Sequence, residues 1–303
     1  MMLKGIYVFK QNGIEIGRSE NIITDNGKKS ILKYLTNSIS EWASSIAVGA
    51  IPTTAASSDK TLYYEIARSA VTMKSYRSGT PNLIIVKSTL DASVAANIYE
   101  IGVYPNTTSQ IFGTRDQMIL TDFSYYYDWL KTAGSGTVSN TPFIPQDPYS
   151  PRVGFNSIKL PAATTISNSN FSLNLSSYTS TDTLDILVNV PVTSTGSNTL
   201  NLTLTDVNGL TSIASYSYNA STTSGYQVLS TNLASNINTL STIKTITIQS
   251  VGTNSAITLD AIRVSVTSEV GDSSSLVSRS VLTTPIAKIY GTPLDIEYYL
   301  QLS

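Results

Sequence analysis

Four charged residues in the first hundred positions have the types and spacing for joint chemistry. Asp59, Glu65 and Arg68 lie in the stretch AVGAIPTTAASSDKTLYYEIAR (47–68), and Glu100 lies in the strand-like run ANIYEIGVY (96–104). Two acids held about 5–9.5 Å apart across a cleft, with separated pKa values, form the pair used in acid–base hydrolysis. Arg68 stands too close for that role, because a neighbouring guanidinium keeps a carboxylate ionised. The better use is structural. Arg68 is expected to pair with Glu65 or Glu100 beneath the small-residue loop 50–58. A planar guanidinium clamps a carboxylate bidentately, which sets geometry more than it stabilises. The loop would then be held as a docking surface against a neighbouring subunit. Locally, the spacing predicts a helical turn capped by Ser57, Ser58 or Asp59, with Leu62 and Ile66 facing inward and Glu65 three residues from Arg68.

Elsewhere the chemistry is sparser. Asp182 and Asp185 are three apart, which on a strand puts them on opposite faces and excludes a shared site. Gly134-Ser135-Gly136 lacks the lysine of a phosphate loop and reads as a turn. No catalytic residues are assigned and no enzyme is expected. Sugar contact is the other available chemistry, since aromatic faces stack on sugar C–H surfaces while amides orient hydroxyls. Tyr178, Tyr216, Tyr218 and Tyr226 are candidate glycan contacts, together with the Tyr125–Trp129 cluster. The plainer reading of that cluster is packing in a core or domain junction with the polar tips wet.

These residues need elements to position them. LKGIYVFKQNGIEIGR (3–18) alternates about Asn12-Gly13, a strong hairpin signal because both turn residues accept positive φ. TDNGKKSILKYLTNS (24–38) reads as a short helix capped by Thr24, Asp25 or Asn26, with Ile31, Leu32 and Leu35 on one face. WASSIAVGA, SAVTMKSY, NLIIVKSTL and ANIYEIGVY read as strands. Composition then shifts: from Ser157 to Ser275 only nine residues are charged, and short alternating runs recur between Asn, Gly, Ser and Thr. That pattern predicts a jelly-roll sandwich. Charge and alternation return in SLVSRSVLTTPIAKIYGTPLDIEYYLQLS (275–303), which matches the character of the N-terminal part. The expected fold is mainly β, with one or two short helices. A β-rich domain formed by 1–117 and closed by strands in 275–303 is interrupted by an inserted antiparallel β-sandwich at 118–274.

The totals narrow the classes further. The chain has 303 residues, 13% charged and 41% hydrophobic, with a net charge of −1 and neither Cys nor His. Thiolate and imidazole metal sites, Cys/His and Ser/His nucleophile pairs, and disulfides are thereby excluded. Oxygen-ligand calcium sites are not. The longest basic run is Lys28-Lys29, so no nucleic-acid track is expected. No apolar stretch approaches the ~20 residues of a spanning helix, and the start MMLKGIYVFK lacks the apolar core of a signal peptide. Synthesis in a cytoplasm without membrane insertion is the expectation.

Taken in order, NIITDNGKKSILKYL, IAVGAIPTTAASSDKTLYYEIAR, IYEIGVYP and SRSVLTTPIAKIYGTPLDIEYYLQL resemble a family of tailed-bacteriophage virion proteins found in tails, baseplates, collars and fibres. The positions carrying the likeness are Asn26-Gly27, Gly49, Asp59, Leu62, Glu65, Arg68, Glu100, Gly102, Pro285 and Lys288, across about 1–115 and 275–303. The block between them resembles the galactose-binding-like jelly rolls of carbohydrate-binding modules. LTDFSYYYDWLKTAGSGTVS, NSIKL and ITLDAIRV carry that likeness. The first resemblance implies a virion structural protein of the tail, baseplate or neck, made in the host cytoplasm. Its partners would be other virion proteins and copies of itself. The second implies a role in contacting host surface glycans, as a receptor-binding or adhesion protein, and a structural calcium ion near Asp260. A capsid decoration or head fibre is the remaining alternative.

Overall fold

Alternating residues become strands along most of the chain in the computed structural model, which describes residues 3–79, 82–105, 117–147, 150–191, 198–218, 225–252, 256–266 and 275–302. The chain opens with β1 (Leu3–Gln11), β2 (Ile14–Glu20), β3 (Ile22–Ile23), helix α1 (Asp25–Leu35), β4 (Ser45–Gly49), β5 (Glu65–Arg77), β6 (Asn82–Leu90) and β7 (Ala96–Tyr104). Twelve strands follow: β8 (Gln117–Thr121), β9 (Leu130–Ala133), β10 (Ser139–Pro142), β11 (Asn156–Leu160), β12 (Thr165–Asn168), β13 (Leu173–Asn174), β14 (Thr183–Val190), β15 (Asn198–Asp206), β16 (Thr211–Tyr218), β17 (Gly225–Asn232), β18 (Thr242–Val251) and β19 (Ile257–Ser265). Last come β20 (Ser278–Lys288) and β21 (Leu294–Leu302). The fold is mainly β with antiparallel sheets. Two compact units result, residues 1–112 with 269–303, and residues 113–268.

In the first unit the strands run β2-β1-β21-β6-β5-β4-β7-β20-β3. β1 begins the sheet as a hairpin with β2, and the turn residues Asn12 and Gly13 take φ of 53° and 78°. The late strands enter its middle. β21 pairs with β1 and β6, and β20 pairs with β7 and β3. β3 continues β2 directly after Asn21, so both ends of the path are one stretch of chain and the sheet closes on itself. Ser280 Oγ donates to the Glu20 carbonyl at 2.6 Å across that closure. β5 turns the opposite corner, with its first half on β4 and its second half on β6. Tyr7, Phe9, Trp42, Ile46, Val48, Ile98, Ile101, Val103, Ile296 and Tyr298 are buried.

The second unit is a sandwich of two six-stranded sheets. One runs β10-β11-β19-β14-β17 with β8 on β19, and the other runs β16-β15-β18-β12-β9 with β13 on β18. The period of two in TLDILVNV, TLNLTLTD and TITIQSV turns Leu184, Ile186, Val188, Leu200, Leu202, Leu204, Ile246 and Ile248 into one core.

Two local expectations need correction. No helical turn forms from 57 to 68: the chain stays irregular to Tyr64 and then becomes β5. The amide groups of Tyr63 and Tyr64, which a helix would use internally, donate instead to Glu100. Helix α1 is capped by Thr24, whose side chain accepts from Gly27 N, but Leu32 and Leu35 face solvent and only Gly27 and Ser30 are buried.

Candidate functional site

Asp59, Glu65, Arg68, Glu100 and Arg279 meet on the outer side of β5, β4, β7 and β20. Strand register arranges the last four in two adjoining rows. One row reads Arg68–Ala47–Gly102–Arg279, and the next reads Glu65–Gly49–Glu100. Alternation explains most of this, since Ala47 and Gly49, and Glu100 and Gly102, are two apart and share a face. Glu65 and Arg68 are three apart and would oppose each other on a regular strand. A bulge settles it: Glu65 pairs with Gly49 while Ala67 pairs with Val48, so Ile66 is the extra residue and both charged side chains emerge on one side.

Arg68 chelates Glu65, Nε to Oε1 at 2.8 Å and Nη2 to Oε2 at 2.7 Å. Its guanidinium carbon lies 3.8 Å from the centre of the Tyr104 ring. Glu100, by contrast, belongs to Arg279. Glu100 Oε2 accepts Arg279 Nε at 3.1 Å and Nη2 at 2.7 Å, and its two oxygens also take the amides of Tyr63 and Tyr64 at 3.0 and 2.8 Å. The small residues between the rows are spatial necessities. A Cβ on Gly49 would stand 2.4 Å from Glu100 Oε1, and one on Gly102 would stand 2.3 Å from Leu276 Cδ1.

Arg279 also holds the loop. Its Nη1 donates to Asp59 Oδ2 at 2.8 Å and its Nη2 to Thr53 Oγ1 at 2.6 Å, while Asp59 Oδ2 accepts the Ala56 amide at 2.8 Å. Loop 50–58 is thus pinned at Thr53, Ala56 and Asp59. Burial pushes the Glu100 carboxyl up, opposed by Arg279 and the two amides. Burial pulls the Arg279 guanidinium down, and Glu100 and Asp59 more than offset it, so the net direction is up. Two donors from Arg279 and two backbone amides on the Glu100 carboxylate make this an ion pair. The arrangement specifies a backbone path: the Arg279 nitrogens and both Glu100 oxygens are engaged within the fold. Arg279 was not singled out from the sequence. Only its register opposite Gly102 reveals it, and nothing in a single sequence aligns β20 with β7.

In the second unit the tyrosine assignments change. Tyr178, Tyr216 and Tyr218 are buried in the sandwich core, so no sugar can stack on them. Tyr216 and Tyr218 sit on the inner side of β16 because Ser212, Ala214, Tyr216 and Tyr218 alternate inward. Tyr216 donates its hydroxyl to the Leu184 carbonyl at 3.0 Å. Tyr226 is half-buried, with Arg152 4.2 Å over its ring and its hydroxyl on the Ser150 carbonyl. One of its faces is therefore taken. The cluster after Phe123 divides: Trp129 packs inside against Phe123 and Phe171, whereas Tyr125, Tyr126 and Tyr127 are exposed and meet edge to face at 5.7–6.0 Å.

Asp182, Asp185 and Asp260 each have fixed partners. Asp182 accepts from the Thr179 amide, and Asp185 takes Arg263, Ser230 and Ser265, so they serve separate partners. Asp260 accepts the amides of Arg152 and Val153 at 2.7 and 3.3 Å, and burial raises its carboxyl to about 7. These amides point N–H dipoles at both oxygens, and among the described residues no three acidic side chains converge. A calcium ion needs six to eight oxygens, so the donor set does not fit one as arranged.

No protein-family model and no characterised protein sequence matches the chain. Among solved structures, a family 11 carbohydrate-binding module from Clostridium thermocellum in complex with a mixed-linked tetrasaccharide is 11% identical, over 49% of this chain and 94% of that one, at a TM-score of 0.33. The xylan-binding module CBM15 is 10% identical over 47% of this chain and 98% of that one, at 0.29. The enzymatically active domain of tailspike protein 4 from bacteriophage CBA120 is 12% identical over 47% of this chain and 20% of that one, at 0.30. At these identities and scores the likeness assigns no function.

Proposed function

We propose that the chain is a non-catalytic structural component of a tailed-bacteriophage particle, in its tail, baseplate or neck. The terminal unit would dock to other virion proteins and to copies of itself, and the inserted sandwich would be presented outward. One observation carries this reading: in a chain only 13% charged, Arg68, Arg279, Asp59, Glu65 and Glu100 are all spent on fixing the surface loop 50–58 and its flanks. Such an investment suits a surface that must keep its shape for a neighbour. Asp59, Glu65, Arg68 and Glu100 are also among the positions that carry the resemblance to virion proteins. Mass spectrometry of purified particles, followed by electron microscopy, is the test. The protein should be found at a fixed copy number on the tail or neck. Its absence from particles rejects the reading, and density on the head shell reassigns it as a capsid decoration or head fibre.

A second reading, glycan contact by the sandwich, is favoured by the exposed tyrosines 125–127. Three rings on one short stretch offer stacking surfaces, and weak contacts gain from many copies through effective concentration. Glycan-array binding by the purified chain should fall at least tenfold in Tyr127→Ala and stay unchanged in Tyr216→Phe. An array with no bound glycan removes this second reading.

A further inference from the structure

Helix α1 is mounted with its small residues inward and its leucines outward. A Cβ on Gly27 would lie 1.9 Å from the Val277 carbonyl oxygen, which shows how closely the helix backbone approaches segment 275–277. Thr24 locks that seat: its amide donates to Val277 O at 3.0 Å, and its hydroxyl, which also caps the helix, contacts Leu276 O. Leu32 and Leu35, three apart and turned away from Gly27 and Ser30, are 61% and 68% exposed. A helix this short is held by packing, and these two mostly exposed leucines contribute little to it.

The polar residues around them have a sign. Lys28, Lys29 and Lys33 share the exposed part of the helix with one acid, Asp25, which pairs with Lys28 at 2.9 Å. The face is therefore apolar with a basic rim in a chain of net charge −1. Docking it on the same face of a second copy would bring Lys33 towards its equivalent, which like-charge repulsion opposes. An acidic rim around an apolar patch complements it. The adjoining surface is loop 50–58, joined to α1 where Asp25 N donates to Ser57 O at 2.8 Å and Ser57 Oγ donates to Asp25 Oδ2 at 3.2 Å. That loop carries mostly small side chains and is pinned by Arg279, so a partner can approach closely at little ordering cost.

We propose that α1 and loop 50–58 together seat a different protein subunit of the particle, one presenting an apolar patch with an acidic rim. This rests on the virion reading above and names the surface and partner chemistry for it.

The absence of native cysteine makes the test direct. Leu35→Cys and, as a control on the sandwich, Val207→Cys are labelled with a maleimide dye, both as free protein and in purified particles. Leu35→Cys should react at least tenfold more slowly in particles, with Val207→Cys less affected. The Leu32→Glu/Leu35→Glu pair should keep the wild-type melting temperature yet enter particles at least tenfold less, while Leu35→Met enters normally. Wild-type protein missing from particles overturns the virion reading and this inference together. Wild type present with Leu35→Cys fully reactive there overturns this inference alone. So does self-association of the free chain, or binding to phosphatidylserine vesicles, that the double glutamate variant abolishes.

Discussion

Arg279 is the residue that ties buried Glu100 to Asp59 and Thr53 of the loop. Replacing it with leucine leaves Glu100 fully buried, with amide donors but no cation. Removing one partner of a buried pair typically costs about 3–5 kcal/mol, so Arg279→Leu should lower the urea midpoint by that equivalent and open loop 50–58 to limited proteolysis. Arg279→Met combined with Glu100→Gln should recover part of the loss, because the uncompensated charge is gone. Two other acids predict the pH profile. Asp260 has its carboxyl raised to about 7 by burial; the folded state holds a proton that the unfolded state releases near 4, so stability falls as pH rises from about 4 to about 7. Glu297 is the reverse. Despite its burial, Lys10, Lys87 and Tyr299 hold it down to about 2, so its contribution is complete above the unfolded value near 4.5 and is lost as pH falls toward 2. Melting curves across pH 2–8 should lose the upper slope in Asp260→Asn and part of the acid limb in Glu297→Gln. At this scale the residue types in 47–68 and 96–104 pointed to an ion-pair device. They did not reveal which acid each arginine takes, because that depends on a bulge at Ile66 and on a strand almost two hundred positions away.

Elements explain why similar patterns had different outcomes. Asn12-Gly13 formed its hairpin because the turn needs two positive φ values and those residues supply them locally. Thr24 capped α1 for an equally local reason, a side-chain oxygen three residues from an unsatisfied amide. The apolar face of the same helix was legible, but not its direction: a Leu32–Leu35 stripe normally marks the core, and here Gly27 lets the opposite side approach more closely. Gly27→Ala should therefore push α1 off its seat and cost about 1–3 kcal/mol, while Thr24→Ala should cost about 1 kcal/mol or more. Both are measurable by urea denaturation. The run 57–64 misled because its capping residues suit a helical turn. Tertiary acceptors, Glu100 above all, drew the amides away.

On the scale of the whole molecule, strands β1 and β21 lie side by side although they open and close the described chain, and residues 113–268 form a unit of their own. Replacing 113–268 with a short Gly/Ser linker should leave a cooperatively melting β-protein, and 113–268 alone should melt cooperatively too. Failure of the first to fold would mean that the terminal sheet depends on the sandwich. Alternation, turn residues and composition determined that this protein is built of antiparallel strands, that its middle differs in kind from its ends, and that thiol and imidazole chemistry are closed to it. Those properties are local, being set by side-chain period, permitted φ and the atoms present. Only the tertiary structure decided that Arg279 holds the loop, that Tyr178, Tyr216 and Tyr218 are core rather than surface, and that α1 shows its leucines to water. Each depends on which distant strand or wall lies opposite, and strand register and close backbone approach are settled by packing between segments far apart in the chain.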